Sequence, residues 1–157
     1  MEKGAVVIYR VARVDELHLA AGLRGEMADE MDASFDRRAA DWRERYREYF
    51  GVEMEAGRAR IFFACAGPEP VGMVLGRVVD NYRTALFGTR FGQINNVYVR
   101  PAWRRRGIGR TLMEQALGWL REEGCVVARL HASDDGRALY EGMGFTSTSE
   151  MEFSLRP

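Results

Sequence analysis

Histidine, cysteine and proline are scarce in this chain, with two, two and four residues among 157. His18 and His131 lie far apart and neither stands near a cysteine pair, so no zinc site is expected and no metal is implied. Cys65 and Cys125 sit in apolar, strand-like surroundings and read as reduced, packed side chains, not as a structural disulfide; the cytoplasm is the expected compartment. Neither sign of charge is in excess. Lys and Arg number 23, Asp and Glu also 23, which leaves no chain-wide basic field of the kind a nucleic-acid partner selects. No apolar run reaches about 18 residues, so no membrane span is expected. The apolar part of the opening Met-Glu-Lys-Gly-Ala-Val-Val-Ile-Tyr-Arg is too short for a secretory signal. Repeats, low-complexity stretches and linkers are missing too, and one domain over residues 1–157 is the reading.

What is present is concentrated between Asn96 and Met113. Asn-Val-Tyr-Val reads as a strand, rich in β-branched and aromatic residues, and Pro101 stops it because it offers no ladder donor. From Ile108 the spacing turns helical, with Ile108, Leu112, Ala116 and Leu120 forming one apolar stripe. Between strand and helix stand Arg104, Arg105, Arg106, Gly107 and Gly109, followed by Arg110. Glycine lets backbone approach a ligand, the free N–H groups of a first helical turn attract anions, and guanidinium groups add charge-assisted bonds to phosphate oxygens. The chemistry points to a pyrophosphate. The loop is not a P-loop, since no Gly-Lys-Ser/Thr follows, and the dinucleotide fingerprint Gly-x-Gly-x-x-Gly is incomplete. A solvated strand-to-helix turn and a nucleic-acid contact are the competing readings.

In chain order, Val6 to Ala12 is expected as a first strand, and Asp15 opens a helix to about Ala33 that Gly22 and Gly25 weaken or bend. Ser34 or Asp36 caps a second helix to about Ala56, on which Trp42, Tyr46, Tyr49 and Phe50 form an aromatic face. Plain core is the simpler reading of that face. Ala59–Ala66 and Val71–Val79 are the arms of a hairpin around Gly67-Pro68-Glu69-Pro70. An irregular segment from Asp80 to Arg90, holding Tyr82, is long enough to serve a binding site. Phe91 to Arg100, the helix Gly107–Glu123, a strand Val126–His131, a short helix Arg137–Gly142 capped from Ser133, and a last strand within Glu150–Leu155 complete the order.

Arg104-x-x-Gly107-x-Gly109, with Pro101-Ala102-Trp103 before it and Val97-Tyr98-Val99 before that, resembles the acyl-CoA-binding signature of the GNAT superfamily of N-acetyltransferases. Leu139-Tyr140 followed by Gly144-Phe145 is similar to a later motif of the same family, and the two stand in the family's order. The resemblance covers nearly the whole chain. It implies an α/β (α+β) fold with a mixed, mostly antiparallel central sheet whose central strands splay, flanked by helices. It also implies an acetyltransferase domain over 1–157 that uses acetyl-CoA as donor, without metal.

Carried over by residue, the resemblance places Val97, Tyr98 and Val99 along the pantetheine, with the Val99 N–H as oxyanion donor. Arg104, Arg105, Arg106, Gly107, Ile108, Gly109 and Arg110 fall around the pyrophosphate. Tyr140 becomes the general acid for the departing thiolate; a buried tyrosine bonded to backbone is its structural alternative. Ser133 caps its helix, touches the cofactor, or does both. The Asn found in the family's version of this motif is missing from Ser133-Asp134-Asp135-Gly136. His131 is a weak candidate for the base, and Glu26, Glu30 and Asp32 could accept a proton or attract a cationic amine. The family's first two helices wall the acceptor site, which brings Glu30, Trp42 and Tyr46 into question as acceptor contacts, along with Tyr82. An amine of a small molecule is the expected acceptor, and neither nucleic acid nor membrane is expected as partner; homodimers are common in the family. A protein or peptide N-acetyltransferase and a non-catalytic acyl-CoA-binding module are the alternatives.

Overall fold

The computed structural model describes residues 4–31, 39–82 and 89–157. In chain order the elements are β1 (Val7–Val11), α1 (Leu17–Glu30), α2 (Trp42–Glu55), β2 (Ala59–Ala66), β3 (Glu69–Asp80), β4 (Arg90–Val99), α3 (Ile108–Glu122), β5 (Ala128–Arg129) and α4 (Asp134–Gly142). The strands form one sheet in the order β1-β2-β3-β4-β5; the first three pairings are antiparallel and β4–β5 is parallel. This is the mixed, mostly antiparallel sheet expected.

Alternation in β2 explains why the sheet is covered on both faces. Ile61, Phe63 and Cys65 point to one side, where they meet Leu17, Ala20 and Leu23 of α1. Phe62 and Ala64 point to the other, against Leu112, Met113, Ala116 and Trp119 of α3. The Ile108/Leu112/Ala116/Leu120 stripe is buried throughout, as its spacing predicts. Gly25 has a role its helix propensity does not suggest. A Cβ there would stand 2.9 Å from the Arg43 guanidinium and 3.4 Å from the Trp42 ring, so glycine lets α2 lie close on α1.

Three expectations need correction. The strand Val126–His131 contracts to Ala128–Arg129, because Leu130 and His131 turn away from β4 into the cleft described below. No strand forms over Glu150–Leu155; Met151, Phe153 and Leu155 are all exposed, and alternation alone does not make a strand without a pairing edge. The second helix begins at Trp42, after Asp41, which makes no side-chain cap. Ser34 and Asp36 lie outside the described residues.

One buried carboxylate ties the first strand to the first helix. Glu16, 6% exposed, accepts bonds of 2.8 and 2.7 Å from the Arg10 guanidinium and 2.8 Å from the Arg13 backbone N–H. These donors hold its pKa down, to about 2. A carboxylate whose folded pKa is depressed stabilises the fold above its unfolded pKa and loses that contribution as pH falls through the folded value. Glu16→Gln is therefore expected to lower Tm by about 5–10 °C at pH 7, from ~2–3 kcal/mol for a broken, largely buried pair. The variant should also lose part of the wild-type's acid sensitivity between pH 4.5 and 2. Thermal melts across that range check both.

Candidate active site

β3 and β4 fall out of register at one place. Met73 pairs with Tyr98 but Leu75 pairs with Asn95, so β4 holds one residue more than β3 there. Asn96, at φ 52°, takes up the surplus in a left-handed conformation that asparagine tolerates better than most residues. Its side-chain amide donates to the Tyr46 hydroxyl at 3.2 Å, which holds the bulge from behind. Beside it the Asn95 Oδ1 is buried and, among the described residues, has no hydrogen-bond partner. On the other edge of β4, pairing with β5 stops at Gly92–Ala128 and Gln93–Arg129. Beyond Gln93 the two strands part.

The parted edge forms one wall of a cleft of about 880 Å³. The loop Trp103–Arg110 closes its end, Leu130 and His131 with α4 form the facing wall, and Met27, Glu30 and Met31 reach it from α1. At the head of α3, Gly107 adopts φ 76° and supplies no side-chain cap. The Thr111 N–H makes the first helical bond, back to the Gly107 carbonyl at 3.0 Å. That leaves the N–H groups of Ile108, Gly109 and Arg110 without helical acceptors at the positive end of a 15-residue helix dipole, on the cleft. Such a terminus suits a phosphate.

Backbone direction along β4 also follows from the ladder. The Arg100 N–H donates to the Val71 carbonyl at 2.8 Å and so faces β3. Val99, one residue earlier, must point its N–H and C=O to the opposite, open edge. The Tyr98 carbonyl faces β3 again; a Cβ at Gly72 would meet it at 3.1 Å.

The cleft gathers most of the residues singled out above, in unequal roles. Val97, Tyr98, Val99, Gly107, Ile108, Gly109, Arg110, His131, Ser133 and Tyr140 all line it. Ser133 is the N-cap of α4, its Oγ accepting from the Gly136 N–H at 3.1 Å. Tyr140 is 7% exposed, its ring 5.8 Å from that of Phe145, and burial pushes its pKa up. Among the described residues its hydroxyl has no hydrogen-bond partner, so it stands protonated at the cleft. His131 is exposed there.

The arginines divide. Arg105 reaches the cleft wall at φ 61°, and the Arg106 guanidinium lies 4.8 Å from the centre of the Trp103 ring. Arg104 points toward α1, where its Nη2 bonds Glu30 at 2.7 Å. Tyr98 sends its hydroxyl to the same carboxylate at 2.6 Å, and these donors hold the Glu30 pKa down against its partial burial. A carboxylate so engaged is a poor proton acceptor.

Trp42 and Tyr46 do not line the cleft. Trp42 packs edge-on against Tyr46, with ring centres 6.5 Å apart. Burial raises the Tyr46 hydroxyl to about 12 as it supports Asn96. Tyr82 is exposed, in the segment after β3. Met27, Met31, Asn95, Asp135 and Leu139 line the cleft as well, although none of them is among the site residues that the sequence proposes. The bulge that selects Asn95 and Asn96 leaves only a weak trace in sequence, an Asn-Asn pair inside a β-rich run.

Comparison with known proteins bears on the family and the fold. The acetyltransferase (GNAT) family profile matches residues 25–145. An aminoglycoside N(6′)-acetyltransferase type 1 of Stenotrophomonas maltophilia is 30% identical over 104 residues, covering 62% of this chain and 66% of the relative, just under two thirds of its length. A GCN5-related N-acetyltransferase from Ralstonia eutropha JMP134 superposes with a TM-score of 0.82 at 27% identity, covering 96% of this chain and 99% of that one. A predicted acetyltransferase from Clostridium acetobutylicum, solved with acetyl-CoA, shares the fold with a TM-score of 0.86 at 22% identity over 96% and 97% of the two chains.

Ser133→Ala removes the α4 cap and is expected to cost about 1 kcal/mol, a fall of ~2–4 °C in Tm. If capping is its whole role, CoA affinity by calorimetry stays within about two-fold of wild type.

Proposed function

The chain belongs to the acetyltransferase (GNAT) family, and on that premise we propose that it moves an acetyl group from acetyl-CoA to the primary amine of a small molecule, by direct attack in a ternary complex. One observation carries the reading. An unpaired strand edge, an uncapped helix N-terminus and a buried protonated tyrosine share a single cleft. These are the three fittings an acyl thioester on a pyrophosphate carrier requires.

Acetyl-CoA supplies a thioester whose carbonyl carbon takes the amine nitrogen and whose sulfur leaves. The Ile108, Gly109 and Arg110 amides receive the pyrophosphate, with Arg105 and Arg106 adding charge. The open edge of β4 over Val97–Val99 pairs with the pantetheine amides as another strand would. The outward Val99 N–H donates to the carbonyl oxygen as negative charge gathers there.

Tyr140 gives its phenolic proton to the sulfur as the C–S bond breaks. Burial that raises the tyrosine pKa also disfavours a bare thiolate formed beside it, so the surroundings that weaken the acid strengthen the base it must protonate. The nitrogen must lose a proton for the amide to form, and His131, exposed in the same cleft, is the candidate to take it through water. The amine-directed reading draws on the aminoglycoside acetyltransferase relative and on the α1 side of the cleft, where Met27 and Met31 form an apolar wall beside the Arg104–Glu30 pair.

Tyr140→Phe is expected to lower kcat about 10–100-fold while CoA still binds within two-fold. That range sits at the low end for general acids because a thiolate already leaves well. Wild-type kcat should hold on the alkaline side until pH exceeds the ordinary tyrosine range, and the variant should lose that limb. Free-thiol release with acetyl-CoA and a panel of aminoglycosides, polyamines, amino acids and short peptides measures both. CoA binding with no turnover on any amine would overturn the reading.

A further inference from the structure

Arg104 opens the loop signature, and the family resemblance assigns it to phosphate with its neighbours. Its geometry says otherwise. The Nε donates to the Val99 carbonyl at 2.8 Å, the Nη2 donates to Glu30 at 2.7 Å, and the guanidinium lies 5.6 Å from the centre of the Tyr98 ring. Tyr98 closes the circuit through its hydroxyl bond to the other Glu30 oxygen at 2.6 Å. Tyr98 is 6% exposed, so one end of the circuit is fixed in the core.

We propose that Arg104 is a positioning residue for the donor-binding strand, not a phosphate ligand: anchored by Glu30, it holds the outward carbonyl of Val99 and thereby sets the open edge of β4. Val99 carries its N–H and C=O on the same edge, and that edge has lost its partner strand. Pairing to β3 holds the end of β4 along one edge only, through the Arg100 N–H on Val71, and leaves the outward Val99 peptide groups unsupported by any strand on the other. Arg104 supplies that support because a planar fork makes two bonds in fixed relative directions, one to the strand and one to the last residue of α1. A phosphate competing for the same group would have to break two charge-assisted or carbonyl bonds, including a close ion pair. The arginine just after the strand is held alike: Arg100 binds Glu26, one turn earlier on α1, at 2.9 and 3.0 Å. Two Arg–Glu pairs therefore bind the end of β4 to α1.

The test separates carrier phosphate from carrier strand. Calorimetry measures CoA, and ligand-observed NMR measures pantetheine, which lacks the pyrophosphate, on wild type and on Arg104→Ala, Arg104→Lys and Glu30→Gln. Arg104→Ala is expected to weaken CoA and pantetheine by the same factor, about 3–10-fold, and Glu30→Gln to reproduce part of that loss although it removes no positive charge. The double variant should be no weaker than Arg104→Ala, since both act through one circuit. Arg104→Lys should fail to rescue, because an ammonium cannot span both acceptors. Loss of CoA affinity with pantetheine unchanged, or rescue by lysine, makes Arg104 a phosphate ligand and overturns the proposal. Unchanged affinity for both ligands overturns it as well, leaving only a role in stability. All these readouts are binding constants, so failure to find an acceptor amine would bear on the proposed reaction and not on Arg104.

Discussion

Strand β4 cannot be paired on both edges along its whole length and still receive a ligand, and much of the structure follows from how it is left half-paired. Backbone amides in a sheet normally meet a partner, since an unmet one costs free energy wherever water is excluded. Here β5 leaves after two rungs, and the residues from Ile94 to Val99 face a cleft. The bulge at Asn96 makes the parting compatible with continued pairing to β3, because it twists β4 without breaking the ladder behind it. α2 supports the bulge through Tyr46, α1 supports the strand's end through Glu26 and Glu30, and α3 supplies both the opposite anchor and the anion-binding turn.

Charge in this protein is arranged locally, not globally. The net charge is zero, yet arginines crowd the cleft end of the sheet. Those on the α1 side are neutralised by glutamates in close pairs, while the turn beyond them keeps three unbonded backbone N–H groups at a helix terminus. The positive potential is thus confined to where an anion can be held by geometry. A diffuse basic surface would attract polyanions of any shape.

Much of this was readable beforehand, and the residues show why. The α3 stripe, the glycine at φ 76° before it and the proline that ends β4 are local signals, encoded within a few residues of their effect. Tyr140 was legible through its motif neighbours. The Arg104–Glu30–Tyr98 circuit was not, because its members stand 68 and 74 residues apart and nothing in either segment specifies the other. Trp42 and Tyr46 leave two readings open in sequence, core or acceptor contact, for a related reason. An aromatic face reads the same whether it meets substrate or the neighbouring helix, and only the close approach permitted at Gly25 decides for the helix. The shortened β5 and the unpaired C-terminal residues show that alternation specifies which way side chains point, not whether an edge is there to be joined.

The point at which β4 and β5 separate is itself fixed by packing. Gly92 forms the first of the two rungs, and a Cβ there would come within 2.5 Å of Leu120, so the buried helix α3 is pressed directly onto the strand at the apex of the fork. From the last rung at Gln93 to Val99 the strand runs six residues, roughly 20 Å at the rise of an extended chain. That length is the longest extended molecule the edge can pair with, and each residue by which the apex moved would change it by about 3.3 Å. The reach of the binding edge is therefore gauged by a leucine in the core, a side chain outside the cleft itself.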